Sequence, residues 1–175
     1  DSQVCGHGII AAIELYKCTL DSYYIDVAAT YAKIVLACQQ SDTPDWDIPL
    51  RGFFYEDPNH KWMLTYEHRG HEQSPVQGLA MLCEVASNHP DYETWINGLK
   101  LYREYVLDSM KLTKPYGLVP GHVYVLDKLN SDRFTIPASY GTIPEGMEIL
   151  RNQARSGKKL ADNVYLRIFP VAVQR

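Results

Sequence analysis

The densest group of chemically reactive side chains in the sequence lies at residues 65–77. Seven consecutive positions hold most of it, in the order Tyr66, Glu67, His68, Arg69, Gly70, His71 and Glu72. Histidine titrates near neutrality, and carboxyl, imidazole and phenol groups can serve as general acids and bases. The segment therefore predicts a catalytic or substrate-binding loop, although a loop with purely structural hydrogen bonds has the same residue types.

This loop leads directly into the predicted start of a helix. Ser74 is a preferred N-cap residue, Pro75 suits the first helical position, and Gln77 can complete a capping box. Unpaired backbone N–H groups and the helix dipole favour anions at this end of a helix. The pattern predicts that the reactive side chains lie just before a helix N-terminus.

Two kinds of sugar chemistry fit these residue types. A glycosidase needs two carboxyl groups, about 5–5.5 Å apart in retaining enzymes and about 6.5–9.5 Å apart in inverting ones. Glu67 and Glu72 are the nearest such pair in this segment. A lyase acting on uronates instead needs a tyrosine or histidine base and a group that neutralises the carboxylate. The tyrosine, the two histidines and the arginine of the same segment meet that description, so both chemistries stay open.

A metal site is the weaker interpretation of the same residues. His68, His71 and Glu72 have a spacing that could place three ligands on one helical face. Gly70 lies between the histidines, however, and all three residues precede the predicted helix cap. No metal and no other cofactor is predicted.

Composition describes a globular chain with a mildly acidic balance. The 175 residues are enough for one domain, taken as residues 1–175, and are 46% apolar and 22% charged. The net charge of −4 and the absence of a Lys/Arg cluster argue against a nucleic-acid partner. No apolar run approaches the roughly 20 residues of a membrane-spanning helix, so no membrane partner is predicted.

Two helical hairpins are predicted from apolar periodicity and turn residues. The first joins a nearly all-apolar helix at residues 9–16 to a helix at residues 23–40 with one polar stripe. The second joins an apolar helix at residues 75–87 to an amphipathic helix at residues 92–112. Helices that are apolar on nearly all sides are expected to be buried on most sides.

The two hairpins repeat each other. Gly8 lies 70 residues before Gly78, and Asp21 lies 70 residues before Asp91. Repeated pairs of one buried and one amphipathic helix are typical of helical solenoids and toroids. The sequence therefore predicts stacked hairpins joined by long loops.

The connecting segments are rich in proline, glycine and aromatic residues. Residues 41–64 are predicted to form a functional aromatic wall or short strands around Phe53, Phe54 and Tyr55, because long loops in compact domains are usually functional. Residues 134–144 are predicted to form a second loop with aromatic, proline and glycine residues. A short strand is predicted at residues 122–126, a short third helix begins at Pro144, and the apolar residues 161–175 are expected to pack against other structure.

Several further side chains are candidate substrate-binding groups. Loop-borne aromatic rings can stack on the apolar faces of sugars, and His7 would join His71 if the starts of both buried helices share one rim. The predicted binding residues are His7, Trp62, Arg69, Tyr116, His122 and Tyr140. By contrast, His60 and His89 lie in polar turns and are predicted to be solvated.

The cysteines are predicted to be packing residues and not metal ligands or redox groups. Cys5, Cys18, Cys38 and Cys83 all fall in predicted helices or next to one, without a Cys-x-x-Cys pattern. Reduced thiols in the core are expected, while a Cys18–Cys38 bridge across the first hairpin stays open.

The turn of the first hairpin, Leu-Tyr-Lys-Cys-Thr-Leu-Asp at residues 15–21, resembles a turn common in the six-hairpin (α/α) toroid glycosidases. Residues 53–55, 66–73 and 169–175 are similar to bacterial proteins grouped with family-nine glycoside hydrolases. In those enzymes a buried inner ring of helices is surrounded by an amphipathic outer ring, and loops at one end form a sugar-binding cleft. The resemblance implies a mainly all-α fold: antiparallel hairpins of an incomplete (α/α) toroid, with long aromatic loops and a short β hairpin.

The resemblance also implies a function. It indicates a periplasmic or secreted carbohydrate-active enzyme that hydrolyses glycosidic bonds in an oligosaccharide or polysaccharide. The Asp-Ala-Gly-Asp-like catalytic motif of that family is not in this sequence, so the chain would be a middle section partnered by further segments of the same protein. The expected catalytic residues are Tyr66, His68, His71 and Glu72. A polysaccharide lyase and a non-catalytic α-hairpin binding scaffold remain the alternatives.

Overall fold

The computed structural model describes residues 1–44, 50–62, 73–111, 115, 117, 122–125, 148, 158–161 and 164–167. Within these residues the structure has four helices: α1 (Ser2–Thr19), α2 (Tyr23–Ala37), α3 (Gln73–Val85) and α4 (Tyr92–Lys111). Three strands follow: β1 (His122–Val125), β2 (Lys158–Ala161) and β3 (Val164–Arg167). The described part of the chain is thus mainly helical, as predicted, and its helices form the two expected hairpins.

Backbone and side-chain hydrogen bonds cap the helices of the first hairpin and define the turn between them. The Asp1 carboxylate accepts hydrogen bonds from two N–H groups in the first turn of α1. Leu20 adopts a left-handed conformation with φ 58°, and its N–H donates to the Tyr16 carbonyl at 2.7 Å, which ends α1. The Asp21 carboxylate then accepts from the Tyr23 N–H at 2.9 Å at the start of α2.

The turn of the second hairpin is built around His89. The N–H of Asp91 donates to His89 Nδ1 at 3.1 Å, and the His89 ring stacks on Trp95 with centroids 4.7 Å apart. The Asp91 carboxylate lies 3.5 Å from the ammonium group of Lys33 on α2. The prediction that His89 is simply solvated is therefore wrong, because its ring packs on the buried tryptophan of α4.

Corresponding helices of the two hairpins lie side by side and run in the same direction. At the start of α1, the Ser74 hydroxyl of α3 donates to the Gln3 carbonyl at 3.0 Å. Further along, a Cβ built on Gly78 would lie 2.9 Å from the Gly6 carbonyl oxygen and 3.0 Å from Ile9 Cβ. Later residues of α3 thus contact later residues of α1, so the two helices are parallel. The absent side chain of Gly78 permits this close approach.

The second helices of the two hairpins, α2 and α4, which we call the outer helices, also run in the same direction. Lys33 lies beside Asp91 just before α4 begins, and two residues after the end of α2 the Gln39 amide donates to the Gly98 carbonyl at 3.0 Å. Two hairpins therefore stack with both pairs of equivalent helices parallel, which agrees with the predicted 70-residue repeat.

The hydrophobic core lies between the four helices and takes one side chain from the loop that follows α2. It is formed mainly by Ile9, Ile13, Ala28, Ala32, Val35, Phe54, Leu79, Leu82 and Trp95. The predicted polar stripe of α2 is confirmed, since Asp26, Thr30 and Lys33 are exposed. The expectation that α1 is buried on most sides is wrong: Val4 is 65% exposed and Leu15 is 47% exposed.

The aromatic residues after α2 belong to the interior and do not form a cleft wall. Phe53 and Phe54 are fully buried and Tyr55 is 4% exposed. Their backbone pairs with the end of α2, because the Tyr55 N–H donates to the Cys38 carbonyl at 2.8 Å and Gln39 forms a bridge with Phe54. The predicted functional wall is thus wrong for these three residues, and the alternative prediction of a short extended segment is the better one.

The three strands form an antiparallel sheet in the order β1-β3-β2. His122 pairs with Arg167 and Val125 with Val164. The predicted strand at residues 122–126 is therefore confirmed as β1. Within the predicted third helix, the structure describes Glu148, which is helical.

Candidate functional site

Of the predicted site residues, the structure describes His7, Trp62 and His122. Tyr66, His68, Arg69, His71, Glu72, Tyr116 and Tyr140 lie outside the described residues. His122 begins strand β1. The geometry can therefore be built from the anchors of the reactive segment, on either side of residues 63–72.

The first anchor ties Trp62 to the start of α1. The Glu56 N–H donates to the Trp62 carbonyl at 2.8 Å, and the Ser2 N–H donates to the Glu56 carbonyl at 2.8 Å. The buried Ser2 hydroxyl adds a 2.6 Å bond to the Tyr55 carbonyl. Residue 62 is thus fixed beside the N-terminus of α1.

The second anchor ties the start of α3 to the same end of α1. Ser74 is 5% exposed and bonds to the Gln3 carbonyl, and a Cβ on Gly6 would collide with the backbone of Pro75. The starts of α1 and α3 are therefore adjacent. Residues 62 and 73, which flank the reactive segment, both lie at this end of the hairpins.

Ser74 has a different role from the predicted one. The helix α3 begins at Gln73, two residues earlier than expected, so Ser74 lies inside the first turn. Its hydroxyl donates across to α1 and does not cap its own helix. The predicted N-cap is therefore wrong at this position, although the predicted helix start is right within two residues.

His7 and Trp62 occupy this end of the molecule with different exposures. His7 is exposed on the second turn of α1, one residue after the contact between Gly6 and Pro75. Trp62 is half-buried, and the ammonium group of Lys61 lies 4.8 Å from the centre of its ring. A cation over an indole face is a favourable arrangement.

His60 is a structural residue that the sequence did not reveal. Its Nε2 donates to the carbonyl of Ala37, the last residue of α2, at 2.9 Å. Its ring stacks on Tyr55 with centroids 4.4 Å apart and an interplanar angle of 13°. Last-turn carbonyls have no partner within their helix, so His60 satisfies one of them. The prediction that His60 is merely solvated therefore misses these two contacts.

The cysteines are all free, so the Cys18–Cys38 bridge is not formed. Cys5, Cys38 and Cys83 are buried, whereas Cys18 is exposed. Burial raises the pKa of Cys38 to about 11 and also raises the pKa of Cys83. A protonated buried thiol is a poor nucleophile, which fits packing roles for Cys38 and Cys83.

Within the described residues, no group of three or more His, Cys, Asp and Glu side chains is arranged to hold a metal ion. Among those same residues, no helix combines the length and apolar character needed to cross a membrane. Comparisons with protein families, curated proteins and solved structures give no match for this chain.

Proposed function

We propose that this chain is part of a carbohydrate-active enzyme that hydrolyses glycosidic bonds in an oligosaccharide or polysaccharide. The observation that carries the proposal is the joint anchoring of residues 62 and 73 at the N-terminal end of α1 and α3. The segment rich in acids and bases runs between these anchors. Its side chains would therefore work at the end of the hairpins where helix starts favour electron-rich groups.

The stacking of the hairpins supports a ring-shaped fold. Both pairs of equivalent helices are parallel, and the unit repeats after 70 residues. Continued stacking of such units with a small rotation at each step would produce an (α/α) toroid, with its cleft at the end where the inner helices begin. Fold analogy makes sugar chemistry a natural expectation, while the function must come from the site itself.

The proposed roles follow from the chemistry of each side chain. Glu72 or His71 would act as general acid or base at the glycosidic oxygen or the attacking water. Arg69 would bind substrate hydroxyl or carboxylate groups, since its planar fork of donors suits oxygen pairs. Trp62, already held at this end by its backbone, would offer a ring face to a sugar.

The test is an assay of the protein that contains this chain against neutral and uronate-containing polysaccharides. Glu72→Gln and His71→Ala are each expected to lower hydrolysis by about 10²–10⁴-fold, the usual contribution of a general acid or base. The matched control is Glu93→Gln on the exposed first turn of α4, which should leave the rate unchanged. Release of products with an unsaturated ring would instead identify a lyase, and full activity in both variants would refute the proposed site.

A further inference from the structure

Helix α1 carries an exposed apolar stripe that nothing in the described structure covers. Val4, Ala11 and Leu15 are spaced seven and four residues apart, which places them on one helical face. Val4 is 65% and Leu15 is 47% exposed, and Ala11 is also exposed. We call these three residues the α1 stripe.

The 70-residue repeat relates the α1 stripe to a face of α3 that is covered. Its equivalents are Ser74, Met81 and Val85. Ser74 is 5% exposed and bonds to Gln3 of α1, while Met81 and Val85 pack against the core. Gly78, on the same face by helical spacing, touches α1 directly. Helix α3 thus packs against α1 with one face, and the equivalent face of α1 is exposed.

The neighbouring outer helix extends the open surface. Tyr31 of α2 lies against Gly8, where an added Cβ would be 3.0 Å from the tyrosine ring, and Tyr31 remains 37% exposed. Gly8 itself leaves no side chain standing in the middle of the α1 stripe. The open side of the first hairpin therefore combines the α1 stripe, a glycine and the ring of Tyr31.

We propose that the α1 stripe is the docking surface for a further helical hairpin of the same repeat. The first helix of that hairpin runs parallel to α1, as α1 runs parallel to α3, and it offers an apolar face with a small residue where the backbones approach most closely. In repeat arrays each unit buries its face against a neighbour, and an uncovered apolar face requires one. This inference rests on the repeat and is independent of sugar chemistry.

The test adds a copy of residues 1–70 ahead of the full chain. The added unit then precedes α1 by the same 70 residues that separate α1 from α3. Leu15→Cys, in a Cys18→Ser background, reports coverage of the stripe through its reaction with a thiol reagent. In the original unit this cysteine is expected to react about tenfold more slowly than in the added unit, because labelling there requires the interface to open.

The controls separate docking from general effects on folding. Docking of the added unit should also raise the urea midpoint, because it buries the α1 stripe. Val4→Glu with Ala11→Glu in the original unit, which keeps the cysteine at position 15 as the reporter, should abolish both the protection and this rise. The same pair of substitutions in the added unit, whose stripe stays open, should leave both unchanged. Equal cysteine reactivity in the two units would overturn the proposal, as would an added unit that contributes no helical circular dichroism.

A second measurement uses the 175-residue chain without any addition. Sedimentation of the single chain should give a monomer at all concentrations. If the single chain dimerises and Leu15→Glu restores the monomer, the occupant of the stripe is a second copy of the chain, and the proposal of a repeat hairpin is overturned.

Discussion

The hydroxyl group of Ser74 donates a 3.0 Å hydrogen bond to the main-chain carbonyl of Gln3, joining the starts of two parallel helices. The bond spans 71 positions of sequence and is nearly buried, since Ser74 is 5% exposed. It fixes the end of the molecule at which the reactive segment is anchored. One side chain therefore links the packing of the hairpins to the geometry of the candidate site.

Removing this hydroxyl group should measurably weaken the fold. Ser74→Ala is expected to lower the free energy of unfolding by about 1 kcal/mol, the net value of one buried hydrogen bond. Urea unfolding followed by circular dichroism measures this change. Ser87→Ala, at an exposed position shortly after α3, is the control and should have little effect. An unchanged midpoint for Ser74→Ala would mean that helix packing holds the two starts together without the bond.

The approach of α3 to α1 depends on Gly78. Gly78→Ala adds a methyl group 2.9 Å from the Gly6 carbonyl oxygen and 3.0 Å from Ile9 Cβ, so the helices must move apart. Overpacking typically costs about 1–3 kcal/mol, which outweighs the gain of about 1 kcal/mol from replacing glycine in a helix. The midpoint of thermal unfolding should fall for Gly78→Ala and stay level or rise for Gln77→Ala, the exposed neighbour. A stabilised Gly78→Ala protein would contradict the close approach.

The second helix of each hairpin could be predicted well because its signals are local. Predicted and observed bounds of the outer helices agree closely, at residues 23–40 against Tyr23–Ala37 and at residues 92–112 against Tyr92–Lys111. Amphipathic spacing and turn residues within each segment determine these elements. The 70-residue repeat likewise follows from sequence spacing and appears in the structure as parallel equivalent helices.

What could not be predicted depends on contacts between distant segments. Phe53 and Tyr55 lie in a loop without periodicity, so nothing local indicated that backbone pairing with the end of α2 would bury them. The exposure of Leu15 depends on which neighbours α1 has, and an all-apolar helix does not reveal this. For the candidate site, the sequence indicated the residue types, while the anchors formed by Ser2 and Ser74 came from tertiary hydrogen bonds.

His60 should contribute to stability through the end of α2. His60→Ala removes the 2.9 Å hydrogen bond to the Ala37 carbonyl and the stacking on Tyr55. A loss of about 1–2 kcal/mol in the free energy of unfolding is expected from a lost hydrogen bond and ring contact. His7→Ala, at an exposed position on α1, is the matched histidine control and should change stability by less than about 0.5 kcal/mol. Equal effects of the two substitutions would argue against the role of His60.

Stability should fall in alkaline solution because buried acids keep their protons in the folded protein. Burial raises the pKa of the Cys38 thiol from its ordinary value of 9.0 to about 11, and it also raises the pKa of the Tyr55 phenol. Above pH 9.0 the unfolded chain loses the Cys38 proton while the folded protein retains it. The unfolded state then binds fewer protons, so the free energy of unfolding decreases as the pH rises.

The measurement is a series of urea unfolding curves from about pH 8 to about pH 11, where one such group contributes a slope of at most about 1.4 kcal/mol per pH unit. Cys38→Ala should make the slope shallower between pH 9.0 and about 11, although its stability at lower pH is reduced by the small cavity. Cys18→Ala, which removes an exposed thiol, should leave the slope unchanged. If Cys38→Ala has the same slope as the unsubstituted chain, the Cys38 thiol does not titrate differently in the folded and unfolded states, and other groups account for any alkaline loss of stability.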